Sequence, residues 1–157
     1  MIIQKQSLLT WYLIVCVQAL IGCVAVFFDM HHKLWELDQT KLSFIIIAVW
    51  VFGTGYVGWL LKNTDKTLIK NNTKIGWYLA ETCLALGLLG TVAGFLLMLG
   101  NAFTDIDVSN TESLQKSLSE MALGMSTALY TTLVGIISSI FLKSQLVNLE
   151  HYTDGLR

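Results

Sequence analysis

Four long stretches of the chain are apolar, and only the third contains a charged residue, Glu81. They cover residues 8–28, 42–61, 77–100 and 121–142. An α-helix rises about 1.5 Å per residue, so about 20 apolar residues match a hydrocarbon core roughly 30 Å thick. The pattern therefore predicts an all-α integral membrane protein with four transmembrane helices.

The first apolar stretch has an alternative interpretation as a signal peptide, because Lys5 precedes it. However, residues 8–28 are long for the apolar part of a signal peptide, and no small-x-small cleavage site follows them. We therefore expect this stretch to remain in the protein as its first transmembrane helix.

The overall composition agrees with a membrane protein. Hydrophobic residues make up 54% of the chain and charged residues only 13%, which is unusual for a soluble domain. The formal net charge is -1, and no segment carries the basic excess that phosphate binding requires. The composition therefore argues against a nucleic-acid partner.

The residues that commonly bind metals and cofactors are not arranged for that role. Cys16, Cys23 and Cys83 lie in apolar stretches without CxxC spacing, which indicates packing residues. We interpret His31 and His32 as solvated loop residues, since a metal would need further ligands. No apolar stretch offers a nucleophile with a base or a pair of carboxylates. We therefore expect no metal, no cofactor and no enzymatic activity.

Lysine and arginine are distributed unevenly between the two sides of the predicted membrane. The N-terminal tail, segment 62–74 and the C-terminal tail carry seven of them, and the other two connections carry three. The positive-inside rule therefore predicts cytoplasmic N- and C-termini. Lysines recur every four residues at positions 62, 66, 70 and 74. This segment is either an ordinary cytoplasmic loop or a site that contacts anionic lipids.

The fourth transmembrane helix is predicted to begin outside the membrane. Ser109 and Glu112 have the spacing of a capping box, which marks the N-terminus of a helix. An apolar stripe continues from this polar segment into the fourth stretch. Its members are Leu114, Leu118, Met121 and Met125.

The third apolar stretch carries Gly87, Gly90 and Gly94 near its middle, with Thr91 beside them. In lipid, helices associate where small residues let backbones approach and where hydroxyl groups find partners. The spacing therefore predicts a close-packed face with one hydroxyl at mid-membrane depth. Glu81 lies about one turn from the predicted membrane surface, so an interfacial role and a place on an ion path are both open.

The fourth stretch carries a similar set of residues. Ala128, Thr132, Gly135 and Ser139 follow at spacings of four, three and four, which predicts a small polar face centred on Thr132. Because the predicted topology makes the last two helices antiparallel, Thr91 and Thr132 should lie at similar depth. Helix packing alone is the commoner explanation of such faces.

Two motifs in these stretches resemble the paired helix motifs of the MotA/TolQ/ExbB proton-channel family. They are GLLGTVAGF at residues 87–95 and ALYTTLVGI at residues 128–136, the second preceded by SLSEMALGM. The resemblance covers about residues 79–141. Both motifs occur in the order found in the family, on spans whose predicted orientations match those of the family. We therefore do not expect the match to have arisen by chance.

The resemblance implies an ion-conducting subunit of a membrane motor in the bacterial inner membrane, with the proton as the expected ion. In this family a homopentamer surrounds a dimer of a single-span partner, and its long last two helices line a central passage. The proton motive force then drives movement of the partner. By the resemblance, Thr91 and Thr132 stand at the two pore threonines, and Gly90 and Gly94 match the close-packing glycines.

The resemblance also implies how the chain is organised. Residues 1–78 would form two peripheral transmembrane helices, residues 79–150 the channel helix pair, and residues 151–157 a cytoplasmic tail. Because the chain has no deep acid of its own, the titrating group would be a membrane aspartate of the partner, an ExbD/TolR/MotB-like protein. Membrane lipids are the remaining expected partner.

The chain departs from the family pattern in two places. Only residues 62–75 stand where relatives carry a cytoplasmic insertion or domain, so a rotor-gripping role is not expected. Thr127 replaces an acid near the start of the second motif, and Ser138 and Ser139 occupy the region of a family proline. These differences affect the expected ion route rather than the architecture.

Other interpretations remain open at this level. A non-conducting scaffold could use the same small-residue faces for assembly, whereas a membrane enzyme or redox carrier ranks last. The oxygens of adjacent Thr131 and Thr132 suit sodium as well as a proton relay, so the ion is not settled. The expected ion-pathway residues are Thr91, Thr132, Thr131, Ser139 and Glu81, and the expected helix-packing residues are Gly87, Gly90, Gly94, Ala128 and Gly135.

Overall fold

The computed structural model of the chain describes residues 2–27, 41–62, 66–102 and 111–154. These residues form four helices: α1 is Ile2–Phe27, α2 is Leu42–Lys62, α3 is Lys66–Ala102 and α4 is Thr111–Asp154. Each helix contains a segment long and apolar enough to cross a membrane, and none of the described residues lies in a β-strand. The prediction of an all-α protein with four membrane-spanning helices is confirmed.

The third helix begins earlier than the sequence pattern predicted. The prediction of a loop over residues 62–74 is wrong in extent, because α3 already begins at Lys66. Residues 66–74 contain no proline or glycine that would end a helix, and Ile69 and Thr73 are buried on its inner side. The polar start of α3 is therefore a helical extension of the span, and the boundary predicted at residues 78/79 falls inside it.

The fourth helix extends beyond its apolar stretch at both ends. It begins at Thr111, before the apolar stretch 121–142, and continues to Asp154. Leu146 and Leu149 are fully buried, which gives this continuation an apolar side to pack. Ser109 of the predicted capping box, the loop histidines His31 and His32, and the end of the tail lie outside the described residues.

Helices α3 and α4 pack along a seam in which buried residues alternate at spacings of three and four. This period of 3.5 residues is that of a left-handed coiled coil. The seam positions of α3 are Ile69, Thr73, Gly76, Ala80, Cys83, Gly87, Gly90 and Gly94. The α4 residues that lie against α3 along this seam are Gly124, Ala128, Thr131, Gly135 and Leu146.

The contacts along this seam show that the two helices run antiparallel. Gly94 lies against Ala128, whereas Gly76, near the start of α3, lies against Leu146, near the end of α4. The buried apolar residues Leu142, Leu146 and Leu149 of α4 gather at one end, and the glycines occupy the middle of the membrane segment. The backbones of the pair therefore approach most closely at mid-membrane depth.

The remaining two helices pack against the larger-residue end of this pair. The fully buried core there includes Ile46, Val57 and Leu60 of α2 together with Leu142 and Leu146 of α4. Helix α1 lies at the edge of the bundle, and most of its large apolar side chains are exposed, as expected for a helix that faces lipid. The indole of its Trp11 packs over Gly58 of α2.

Buried amides join α1 and α2 to α4. Gln145 Nε2 donates to Gln18 Oε1 at 2.7 Å and to Thr54 Oγ1 at 3.2 Å. Gln18 Nε2 in turn donates to the backbone carbonyl of Phe141 at 3.2 Å. Hydrogen bonds between membrane helices contribute about 0.6 kcal/mol each on average. Since α1 buries few apolar side chains, these bonds are a substantial part of its attachment.

We expect the substitution Gly58→Ala to loosen α1 from α2. A Cβ at this position would lie 2.6 Å from Cζ2 of the Trp11 indole, and this rigid ring cannot move aside as the end of a flexible chain could. Overpacking of this kind costs about 1–3 kcal/mol. Gly55→Ala is the matched control, since no atom of the described residues lies within 4 Å of its added Cβ. Thermal unfolding in detergent should show a lower transition for Gly58→Ala alone; equal transitions would contradict the observed packing.

Candidate functional site

The hydroxyl group of Thr132 reaches across from α4 to the backbone of α3. Its Oγ1 lies 3.1 Å from the carbonyl oxygen of Gly87 and 3.1 Å from that of Ala128, one turn earlier on its own helix. The side chain is only partly buried. The close approach of the two backbones is what brings this short side chain within hydrogen-bonding distance of the neighbouring helix.

The hydroxyl group of Thr91 belongs to the same turn of α3. It donates to the carbonyl oxygen of Leu88, and the side chain is partly exposed. In a regular helix the amide of Thr91 donates to the carbonyl of Gly87, which is the carbonyl that Thr132 contacts. The structure therefore brings Thr91 and Thr132 to one turn of α3.

Both threonines lie on the same flank of the α3–α4 seam. Thr91 follows the seam residue Gly90 by one position, and Thr132 follows the seam residue Thr131 by one position. In an antiparallel coiled coil, equivalent flanking positions of the two helices face each other across one edge of the seam. We name this edge, with Thr91 and Thr132, the threonine edge.

The hydrogen bonds at the threonine edge leave oxygen lone pairs available. A hydroxyl group has one proton to donate and two lone pairs to accept with. In both threonines the proton is directed to backbone carbonyls of the helices. The oxygens can then accept a hydrogen bond from a neutral carboxylic acid, water or a hydrated proton. Their protons are already engaged, so stabilising a carboxylate would require those bonds to break.

Thr131 occupies a different environment from Thr132. It is fully buried, it donates to the carbonyl of Ala128 at 3.1 Å, and it packs against Gly90. The sequence pattern centred the small polar face on Thr132, whereas the structure centres the seam on Thr131 and leaves Thr132 at its edge. Spacings of three and four are satisfied by either threonine, and only the partner helix distinguishes them.

The other residues predicted for an ion path do not meet at the threonine edge. Glu81 is exposed on α3, and ten residues separate it from Thr91, which corresponds to about 15 Å along the helix. Ser139 is buried on α4, about two turns beyond Thr132. Any role of Glu81 or Ser139 would therefore be exercised at a different depth from that of the two threonines.

The predicted packing glycines lie where the helices are closest. A Cβ added to Gly135 would lie 2.8 Å from the carbonyl oxygen of Cys83 and 2.8 Å from the Cα of Gly87. Gly94 has its contact with Ala128, and Gly90 has its contact with Thr131. Every one of these predicted packing residues therefore lies on the α3–α4 seam.

One seam contact was missed by sequence reasoning, because Gly124 lies against Met98 nearer the other end of the pair. Cys83, interpreted from the sequence as a packing residue, contributes backbone to the closest approach. The signal was present in the sequence, because Gly76, Ala80 and Cys83 extend the alternating spacing of the glycines toward the start of α3. Within the residues that the structure describes, no group of three His, Cys, Asp or Glu side chains could hold a metal ion.

The fold and this site together define a multi-pass membrane protein with a close-packed, hydroxyl-bearing helix pair. The sequence model of the MotA/TolQ/ExbB proton channel family matches residues 62–151, which is more than half of the chain. The chain therefore belongs to the MotA/TolQ/ExbB proton channel family. The matched region contains α3 whole and nearly all of α4. No curated protein and no solved structure matches the chain.

Proposed function

We propose that this protein is the proton-conducting subunit of a motor complex in the bacterial inner membrane. It couples the proton motive force to the movement of a single-span partner, and it acts neither as an enzyme nor through a cofactor. Family membership supports the class of function. The observation that carries the proposal for this chain is the threonine edge, where Thr132 of α4 places its hydroxyl group at the turn of α3 that also carries the hydroxyl group of Thr91.

The chemistry of the threonine edge suits a protonated carboxyl group. The four apolar stretches contain one acid, Glu81, and it lies about 15 Å along α3 from Thr91. A titrating group at the depth of the threonines must therefore come from a partner, and a membrane aspartate is the simplest candidate. Moving a carboxyl group through lipid costs much less when it is neutral, and the hydroxyl oxygens can accept its hydrogen bond.

The surroundings of the threonine edge support an oligomer. Leu88, Leu129 and Ile136 are exposed close to Thr91 and Thr132 in the single chain. A conducting path needs walls that separate ions from lipid, and one helix pair supplies only part of such a wall. We propose a homopentamer around a dimer of the partner, with cytoplasmic termini. The threonine edges then face the partner helices.

The cytoplasmic side of the protein offers little that could grip a rotor. Residues 63–65 are all that separates the helices α2 and α3. We therefore propose that the work is done by the partner's outer domain on the far side of the membrane. The proton is the proposed ion, and sodium is its alternative because the same oxygens could bind it.

Native mass spectrometry would test this proposal most directly. The protein should be expressed with the neighbouring reading frames of its own locus and extracted in mild detergent. The expected result is a ring of five copies that carries two copies of a single-span protein with a membrane aspartate. A dimer, or another assembly without such a partner, would count against the motor and favour the alternative below.

The alternative function is a non-conducting membrane scaffold. The contact of Gly135 with the backbone of Cys83 and Gly87 favours it, since packing alone explains these small residues. Proton flux into liposomes that contain the protein and its partner separates the two functions. The motor subunit should conduct, and replacing the partner's aspartate with asparagine should abolish the flux. A scaffold should assemble without conducting.

A further inference from the structure

Gln145 is fully buried where α4 meets α1 and α2, and only one side of its carboxamide is satisfied. Its Nε2 donates to Gln18 Oε1 and to Thr54 Oγ1. Its Oε1 is buried as well, and no donor from the described part of the chain reaches it. Leaving a buried acceptor without a donor is costly, and more so in the low dielectric of a membrane.

The orientation of this carboxamide is fixed by its neighbours. The backbone carbonyl of Phe141 can only accept, so Gln18 must direct its Nε2 toward it. That choice directs Gln18 Oε1 toward Gln145, which must then present its own Nε2. Rotating either amide would bring two acceptors together. The unpaired atom of Gln145 is therefore necessarily the acceptor Oε1.

A donor without an acceptor lies in the same interface. Nε1 of Trp50 is buried, and no acceptor among the described residues reaches it. Trp50 precedes Thr54 by one turn of α2, and its ring packs against Phe141 with the ring centroids 6.1 Å apart. Gln145 follows Phe141 by one turn of α4. The indole donor and the amide acceptor therefore belong to side chains that lie about one helical turn apart where α2 packs against α4.

We propose that a buried water molecule binds between Trp50 Nε1 and Gln145 Oε1. It accepts the hydrogen bond of the indole and donates one to the amide oxygen. Buried waters of this kind typically make two to four hydrogen bonds to otherwise unsatisfied groups. The water completes a polar network that joins α2 to α4 and, through Gln18, α1 to both.

This water site is separate from the threonine edge. Phe141 lies nine residues beyond Thr132, which corresponds to roughly 13 Å along α4. The proposal therefore does not depend on ion conduction, and either could fail without the other. In this protein the water holds the peripheral helices onto the α3–α4 pair.

Hydroxyl-radical footprinting by X-ray radiolysis tests the site, because radicals formed from a bound water label side chains that bulk solvent cannot reach. The full chain would be examined in lipid nanodiscs by mass spectrometry. Leu142 is the reporter, since it is fully buried and adjoins Phe141. Leu60 is the matched control, because it is also fully buried and lies ten residues beyond Trp50 and six beyond Thr54 along α2.

The expected result is labelling of Leu142, none of Leu60, and loss of the Leu142 label in both Gln145→Leu and Trp50→Phe. Trp50→Phe removes the donor and keeps a smaller aromatic ring against Phe141, so the helix interface survives in this variant even if the other fails to fold. An unlabelled Leu142 in the wild-type protein would overturn the proposal. So would a Leu142 label that persists in folded Trp50→Phe.

Discussion

Replacing Gly135 with alanine should separate α3 from α4 at the middle of the membrane. The added Cβ would lie 2.8 Å from the carbonyl oxygen of Cys83 and from the Cα of Gly87, and both of these are backbone atoms that no change of rotamer can move. The helices must shift apart, which should lower the free energy of unfolding by about 1–3 kcal/mol. Thermal unfolding and gel filtration in detergent would measure the loss.

The size of this effect can be compared with that of Gly100→Ala on α3. None of the described residues lies within 4 Å of a Cβ at Gly100, so this variant should remain within about 1 kcal/mol of the wild-type protein. Gly90→Ala should also be destabilising, because its Cβ would lie 2.5 Å from Oγ1 of the buried Thr131. If Gly135→Ala unfolds like Gly100→Ala, the close approach of α3 and α4 is not a feature of the folded protein.

Replacing Thr132 with valine should abolish most of the proton flux while leaving assembly intact. Valine has nearly the same shape as threonine, but it removes the oxygen that lies 3.1 Å from the carbonyl of Gly87 and that we propose solvates the proton carrier. Thr91→Val should act in the same way from the other helix. Loss of one hydrogen bond to the neutral carboxyl group, at the upper end of about 0.5–1.5 kcal/mol, corresponds to about a 10-fold lower rate. Flux into proteoliposomes with the partner would measure it.

The chain offers a matched control for these two variants. Thr82 also lies on α3 and donates to a carbonyl one turn earlier, at 2.8 Å. It is nine residues from Thr91, about two and a half turns, and so faces the opposite side of the helix. Thr82→Val should conduct normally, and Thr132→Ser should retain most of its flux. Normal flux in both Thr91→Val and Thr132→Val would refute the role of the threonine edge and favour a scaffold.

The sequence predicted the two threonines at similar depth but assigned the centre of the small face to the wrong one. Thr131 and Thr132 are adjacent, and a helix with 3.6 residues per turn places either of them at spacings of three or four from Ala128 and Gly135. The packing of α3 against α4 decides between the two threonines. Thr131 packs against Gly90 and is buried. Thr132 lies at the edge of the seam, where its hydroxyl group donates to a backbone carbonyl of α3.

The amide network between α1, α2 and α4 was beyond reach of sequence reasoning for a related reason. Gln18 is a single polar residue in an apolar stretch, and Gln145 lies just after the end of another. Each alone indicates no more than a helix contact. Their pairing depends on the packing of α1 against α4, and hydrophobic periodicity carries no information about which helices become neighbours.

By itself, the sequence determined the number and character of the membrane spans, the small-residue faces and the family motifs. These features follow from transfer of apolar side chains into lipid and from local spacing, so each can be read along a single helix. The tertiary structure decided the register of α3 against α4. It thereby decided which hydroxyl is buried, which remains on the edge and which buried polar atoms pair. Contacts between helices join residues far apart in the chain, and their selection depends on how closely two surfaces fit.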